Sequence, residues 1–154
     1  MTAQTSLYNQ DYYLWSQKMA ALLRSHHWEQ LDIDHIAEEI ESLGRSERRA
    51  LESNLLILII HLLKWKYQPD KQTNSWKYTI REHRQRIDRE LRESPSLKPY
   101  LAEVFSETYE NARQLAADET GLDILIFPPD YPFSIEDVLN PDFLPNYVLD
   151  QANS

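Results

Sequence analysis

The chain has 154 residues, 42% of them hydrophobic and 27% charged, with a formal charge of −9, and this composition is typical of one globular domain. The absence of cysteine excludes disulfides, thiolate zinc sites and cysteine nucleophiles. The two glycines are too few for a phosphate-binding loop or a dinucleotide fingerprint.

Charge is distributed unevenly along the sequence. Residues 1–44 include two basic and seven acidic residues, residues 45–98 thirteen basic and seven acidic, and residues 99–154 one basic and eleven acidic. The basic middle could form a nucleic-acid face, or the acidic ends of the same chain could neutralise it. Because the total charge is strongly negative and no stacking platform is evident, we favour neutralisation and expect no nucleic-acid binding.

The apolar segments predict a protein that is neither exported nor inserted in a membrane. Met1–Gln10 has no basic residue and no apolar run, unlike a signal peptide. The longest apolar stretch, Leu55–Leu63, is interrupted by His61 and is much shorter than the roughly 20 residues that cross a bilayer. We therefore expect a cytoplasmic location.

The first helix is predicted over about 9–25. Apolar residues recur at intervals of three and four along this segment, which is the spacing of one helix face. Asn9 or Asp11 would cap its amino end, and the sequence His26-His27-Trp28 interrupts the pattern.

Two further helices are predicted before the first proline. The second begins at Asp32 and carries an apolar stripe that ends at Leu43, and Gly44 follows where a left-handed residue commonly closes a helix. The third runs from about 46 to 67. Its centre is apolar on most sides, so the other helices should pack around it.

The fourth and fifth helices are separated by a proline. The fourth opens at Asn74 or Ser75 and ends before Pro95, which disfavours helical geometry in the residue that precedes it. The fifth starts at Ser96 and closes at Gly121.

Beyond residue 121 the sequence becomes rich in proline and aromatic residues. Five of the eight prolines fall within 128–145, which predicts an extended segment that lies across the helices. One short helical turn is expected over 134–139. We therefore predict an all-α fold: a single-domain helical bundle (1–154) of about five helices, with a core over about 8–121 and a C-terminal arm over about 122–154.

A polar cluster is predicted between the helices. With 100° of rotation per residue, Glu39 lies at the border of the apolar stripe of the second helix, and Arg84 lies at the border of the stripe of the fourth. His61 and Lys64 lie on the predominantly apolar third helix. Charged groups near a core need partners, so we expect Glu39, His61 and Arg84 to pair. Such a cluster is either a ligand or catalytic site or a buried network that aligns helices, and the second interpretation is favoured because no nucleophile accompanies it.

The sequence gives little support for a metal site or a cofactor. Di-metal sites in bundles need Glu-x-x-His on two helices, and this spacing is absent. The nearest pattern, Asp32-x-x-His35, places His35 away from the apolar stripe. We expect no metal and no cofactor, and we assign no catalytic residue.

Several motifs together resemble a known family. They are Tyr8-Asn9-Gln10-Asp11-Tyr12-Tyr13-Leu14-Trp15, Ile36-Ala37-Glu38-Glu39-Ile40-Glu41, Gly44-Arg45-Ser46-Glu47 and His61-Leu62-Leu63-Lys64-Trp65, followed by Trp76, Arg84 and Phe127-Pro128. The resemblance is to the bacterial, largely cyanobacterial family known as domain of unknown function 29, over roughly residues 8–145. It implies a helical protein of this size with no established activity. It also draws attention to Glu39, His61, Lys64, Trp76 and Arg84.

The function that best fits these observations is a non-enzymatic helical interaction module. We expect it to form a homodimer and to bind another protein, because its chemistry is sparse and its C-terminal segment is rich in aromatic residues. The alternative is a small-ligand-binding protein or enzyme that uses the Glu/His/Arg cluster between helices.

Overall fold

The structure is a computed structural model that describes residues 6–146. Within this range the regular elements are helices, and no strand is found. The α-helices are α1 (Leu7–Gln10), α2 (Tyr12–Arg24), α3 (Ile33–Tyr67), α4 (Asn74–Glu93), α5 (Leu97–Thr120) and α6 (Ile135–Leu139). The predicted all-α fold is confirmed. None of the helices in this range has an apolar run long enough to cross a bilayer.

The predicted helix break at Gly44 is wrong. The second and third predicted helices are one continuous 35-residue helix, α3, and Gly44 lies inside it without a positive φ. A glycine inside a helix costs only about 1 kcal/mol relative to alanine, and the residues around it are mostly good helix formers. The hydrogen-bonded ladder therefore continues through the position.

Capping side chains set the other helix boundaries. Asp11 divides the first predicted helix into α1 and α2, because its carboxylate accepts a hydrogen bond from the Leu14 amide at 3.0 Å. Thr73 caps α4 in the same way. Gly121, with φ of 72°, closes α5 as predicted, and Ser134 caps the predicted short turn, α6.

The chain divides into two compact units, one up to Ser46 and one from Glu47 onward. The described part of the first unit, 6–46, contains α1, α2 and the start of α3, and we call it the hairpin. Its buried hydrophobic residues are Trp15 and Met19. Whether the chain behaves as a single domain stays a prediction.

The second unit, described over 47–146 and called the bundle here, contains a well-filled core. Helix α3 contributes a large part of it, with the residues Leu51, Leu55, Leu58, Ile59, Ile60, Leu62 and Leu63. Phe105 and Tyr109 of α5 pack into the same core. This agrees with the prediction that the centre of the third helix is surrounded.

The segment after α5 packs onto the bundle, as its aromatic residues predict. Phe127, Phe133 and Val138 are buried in the core. Helix α5 fixes the start of the segment through two main-chain carbonyls: the Tyr109 hydroxyl donates to that of Pro128 at 2.5 Å, and Arg113 Nε to that of Phe127 at 2.9 Å. Residues 147–154 of the predicted arm lie outside the described range.

Candidate functional site

Lys64 joins three helices of the bundle. Its ammonium donates a hydrogen bond to Glu119 Oε1 at 2.8 Å, and its Nζ lies 4.5 Å from the centre of the Trp76 ring. The lysine side chain is only 7% exposed. Lys64 and Trp76, two of the residues singled out from the sequence, are therefore in contact. The cation–π contact and the ion pair tie α3 to α4 and α5, which is a structural role.

His61 lies one turn before Lys64 and is partly buried. Its Nδ1 is 2.9 Å from the Ile57 carbonyl oxygen; a carbonyl can only accept, so Nδ1 carries the proton and Nε2 is the acceptor. Burial lowers the pKa of His61, and the positive charge of Lys64 lowers it further. The imidazole is therefore neutral at pH 7.

Arg84 has other partners than those predicted for it. The guanidinium is buried on α4, where Nε donates to the Val138 carbonyl at 2.8 Å and Nη2 to the Asp137 carbonyl at 3.3 Å. It thereby holds α6 against α4. The expected pairing of Arg84 with Glu39 and His61 is wrong, because its hydrogen bonds go to these two carbonyls.

Glu39 also has different partners, all within the hairpin. Its two carboxylate oxygens accept hydrogen bonds from the hydroxyls of Tyr8 and Tyr12. These bonds, that from Tyr12 first, lower the pKa of Glu39. The bond to Glu39 likewise raises the pKa of Tyr8 to about 12. Glu39 is consequently a structural acceptor in this unit.

A second group in the hairpin continues this network and was not predicted as such. Asp32 Oδ2 accepts hydrogen bonds from His35 Nδ1 at 2.7 Å and from the Trp15 indole at 3.1 Å. The ring of Tyr8 stacks on His35 at 4.0 Å. His35, more than any other cause, lowers the pKa of Asp32. The Asp32-x-x-His35 spacing was the signal for this pair, although we considered it for metal binding.

One buried carboxyl group in the bundle was missed by the sequence analysis. Glu90 of α4 accepts a hydrogen bond from the Asn54 amide at 2.8 Å, while its Oε2 is buried without a partner. Burial raises the pKa of Glu90. Its position three residues beyond Ile87, on the inner face of α4, would have been the only signal.

An apolar groove lies between α2 and α3 within the hairpin. Its walls are formed by Tyr12, Trp15, Ser16, Met19, Ala20 and Leu23 on α2, and by Ile36, Glu39, Ile40 and Leu43 on α3. The cavity volume is about 320 Å³. Ile40 and Leu43 belong to the apolar stripe predicted for the second helix, yet each is more than half exposed. The groove is therefore the largest departure from the predicted core.

The described residues contain no candidate metal site. Within 6–146, no three His, Asp or Glu side chains lie close enough together to hold a metal ion. The expectation that the chain uses no metal stays a prediction.

These features define a class: a small all-α protein in which Glu39, His61, Lys64 and Arg84 each have hydrogen-bond partners within the described structure. Residues 7–144 match the family described as Domain of unknown function DUF29. The chain belongs to this family, and the resemblance seen in its motifs is confirmed. No curated protein and no solved structure matches the chain.

Proposed function

We propose that this chain is a non-enzymatic, cytoplasmic interaction module that pairs with a second copy of itself through the hairpin groove. The observation that carries the proposal is the apolar stripe along the first turns of α3, where Ile33, Ile40 and Leu43 remain largely exposed. Contiguous apolar surface of this kind, bordered by polar residues, is typical of a protein–protein interface.

The composition of the groove favours a homodimer. Interfaces between identical subunits are depleted of charge at their centre and enriched in tyrosine, tryptophan and methionine. The groove is lined by Tyr12, Trp15 and Met19 together with aliphatic residues, and its one charged residue is Glu39. The two tyrosine hydroxyls donate to that carboxylate, which reduces the cost of covering it with apolar surface.

The small core of the hairpin also supports a second copy as the occupant. A unit of this size buries too little apolar surface to be stable on its own, and oligomerisation is a common remedy. Two hairpins placed face to face form a four-helix arrangement in which each copy covers the groove of the other.

The test is the oligomeric state of the full-length chain by sedimentation velocity across the micromolar range. We expect the wild-type chain to dimerise, and both Ile40→Glu and Leu43→Glu to be monomeric. Because these side chains are exposed, the variants should keep the helical circular dichroism of the wild type. A charge in the middle of an apolar interface would be left buried and unpaired in the dimer.

Leu125→Glu is the matched control, since Leu125 is an exposed leucine of the bundle and does not line the groove. It should dimerise like the wild type. A wild-type chain that is monomeric throughout the range, or a Leu43→Glu variant that dimerises equally well, would contradict the proposal. A monomer whose groove captures a different protein would assign the surface to that protein instead.

The enzymatic alternative has less support. It requires Glu39, His61 and Arg84 to act together. Glu39 is engaged by tyrosines, His61 bonds to the carbonyl one turn before it, and Arg84 bonds to two carbonyls.

A further inference from the structure

Arg84 is a buried cation without an anion. Its two hydrogen bonds go to neutral main-chain carbonyls, and no carboxylate lies within ion-pair distance among residues 6–146. Burial alone lowers the pKa of Arg84 to about 10. Buried charges in proteins are normally compensated by an opposite charge. This site therefore lacks a component that it would be expected to have.

The guanidinium borders open space. Two cavities of about 210 and 220 Å³ share Arg81, Arg84 and Pro141 in their walls, and we call them together the Arg84 groove. Nη1 of Arg84 has no hydrogen-bond partner in the described structure, yet it is not sealed from the surface. Because Arg84 lines both cavities, we expect a ligand in the groove to reach this nitrogen.

Two more uncompensated cations line the same groove. Lys77, Arg81 and Arg84 recur at intervals of four and three on α4, which places them along one face. Within the described residues, neither Lys77 nor Arg81 forms an ion pair. By contrast, two other arginines of this helix are paired, Arg86 with Glu82 and Arg92 with Asp88.

The charge balance of the groove indicates the kind of ligand. The walls of the Arg84 groove hold three cations and two carboxylates, those of Asp142 and Asp88. Because Asp88 is already paired with Arg92, two positive charges remain in a chain whose total is −9. A phosphate monoester carries about −1.5 to −2 charges at pH 7 and accepts several hydrogen bonds. Guanidinium groups bind such an anion through paired, charge-assisted bonds.

We propose that the Arg84 groove binds a phosphate group, with Arg84 as its innermost ligand and Arg81 and Lys77 at the entrance. The phosphate is either free inorganic phosphate or the terminal group of a small organic molecule. Ile80, Leu144 and Pro141 form an apolar wall beside the cations, and an organic substituent would contact it. This site lies in the bundle and is independent of the dimer proposed above.

A nucleic acid fits the groove less well than a small phosphate. Binding to a nucleic-acid backbone depends on several cations that follow successive phosphates. Here one cation is recessed, and Arg86 and Arg92 are occupied by carboxylates of the same helix.

The experiment titrates the full-length chain with inorganic phosphate and, separately, with phenyl phosphate, by calorimetry at low ionic strength. We expect saturable binding with one phosphate per chain, tighter for phenyl phosphate if the apolar wall is used. Arg81→Gln should weaken binding roughly tenfold or more, because it removes a charge-assisted bond to the anion. Arg89→Gln is the control: Arg89 is an exposed arginine of α4 that lines neither cavity, and this change should leave affinity unaltered.

Arg84→Lys tests the innermost position, and it should bind phosphate more weakly because an ammonium lacks the planar fork. Because Arg84 also holds α6, a second variant that leaves these bonds intact, Lys77→Gln, is measured beside it, and we expect it to lose affinity as well. No saturable binding by either ligand, or equal weakening by Arg81→Gln and Arg89→Gln, overturns the proposal. A further outcome would also overturn it: an oligonucleotide without a terminal phosphate binds more tightly than phenyl phosphate, and Arg89→Gln weakens that binding. This result would indicate a nucleic-acid surface.

Discussion

The hairpin and the bundle have similar apolar periodicity but very different burial. On α3, the stripe residues Ile33, Ile40 and Leu43 of the hairpin are 60%, 63% and 68% exposed, whereas Leu55 and Leu58 of the bundle are completely buried. The helix is the same, and only the surroundings change. Periodicity thus predicts which face of a helix is apolar, but it does not predict what covers that face.

The number of neighbouring elements explains the difference. In the bundle, the second half of α3 is accompanied by α4, α5 and the proline-rich segment, and each contributes buried side chains. In the hairpin, α2 is the one long helix beside the start of α3, and a pair of helices can bury only one narrow seam. The remaining apolar surface of the hairpin is what the proposed dimer would cover.

The largest change in stability should come from truncating a buried side chain in the bundle core. Phe105 is almost completely buried on α5, and Phe105→Ala removes its packing and leaves a cavity. We expect the free energy of unfolding to fall by about 3–5 kcal/mol, measured by urea denaturation. At protein concentrations low enough to keep the chain monomeric, the corresponding change in the hairpin, Ile33→Ala, should cost less than about 0.5 kcal/mol, because the side chain is exposed in the single chain. A loss below about 1 kcal/mol for Phe105→Ala would contradict the contrast between the units.

The helices were largely predictable from the sequence because their signals are local. Asp11, Gly121 and Ser134 act at the helix ends where their residue types suggested. Gly44 was misjudged because the same residue type closes a helix in one context and is tolerated inside it in another. The distinction depends on whether the residues that follow favour a helix, which a single glycine does not reveal.

The candidate site was less predictable because its contacts are not local. Helical geometry correctly placed Arg84 near the core of α4. Its acceptors, however, are main-chain carbonyls at Asp137 and Val138, more than fifty residues away, and carbonyls have no sequence signature. Glu39 illustrates the same point: its partners are tyrosine hydroxyls, and the search for charged partners overlooked them.

The next effect concerns His61 and the pH dependence of the bundle. Burial lowers the pKa of His61 in the folded state below the ordinary value of 6.5. As pH falls below 6.5, the unfolded chain therefore takes up a proton before the folded chain does, and stability decreases. The slope from this one group is at most about 1.4 kcal/mol per pH unit. His61→Gln should reduce the decrease in the free energy of unfolding between pH 6.5 and the lower pKa of His61 in the folded state.

The measurement is urea denaturation of wild type and His61→Gln at several pH values. Subtracting the two curves matters because Glu90 acts in the opposite sense: its raised pKa favours the folded state at low pH, and that contribution is lost as pH rises. The subtraction leaves His61 alone. Parallel curves for the two proteins would mean that this imidazole titrates alike in the folded and unfolded states, contrary to its burial.

The smallest changes in the free energy of unfolding should come from replacing the two glycines by alanine. The change should be stabilising in the hairpin and destabilising in the bundle. Gly44 lies in the hairpin part of α3, and a methyl group added there would meet no atom within 4 Å. Gly44→Ala should raise the free energy of unfolding by about 0.5–1 kcal/mol, because alanine is the better helix former.

Gly121 closes α5 in the bundle with φ of 72°. Gly121→Ala should lower the free energy by about 1 kcal/mol, since this left-handed conformation is strained for other residues even where space is free. Chemical denaturation of both variants beside the wild type gives the two signs directly. Destabilisation by Gly44→Ala would mean that the helix does not continue through that residue, and the original prediction of two separate helices would be restored.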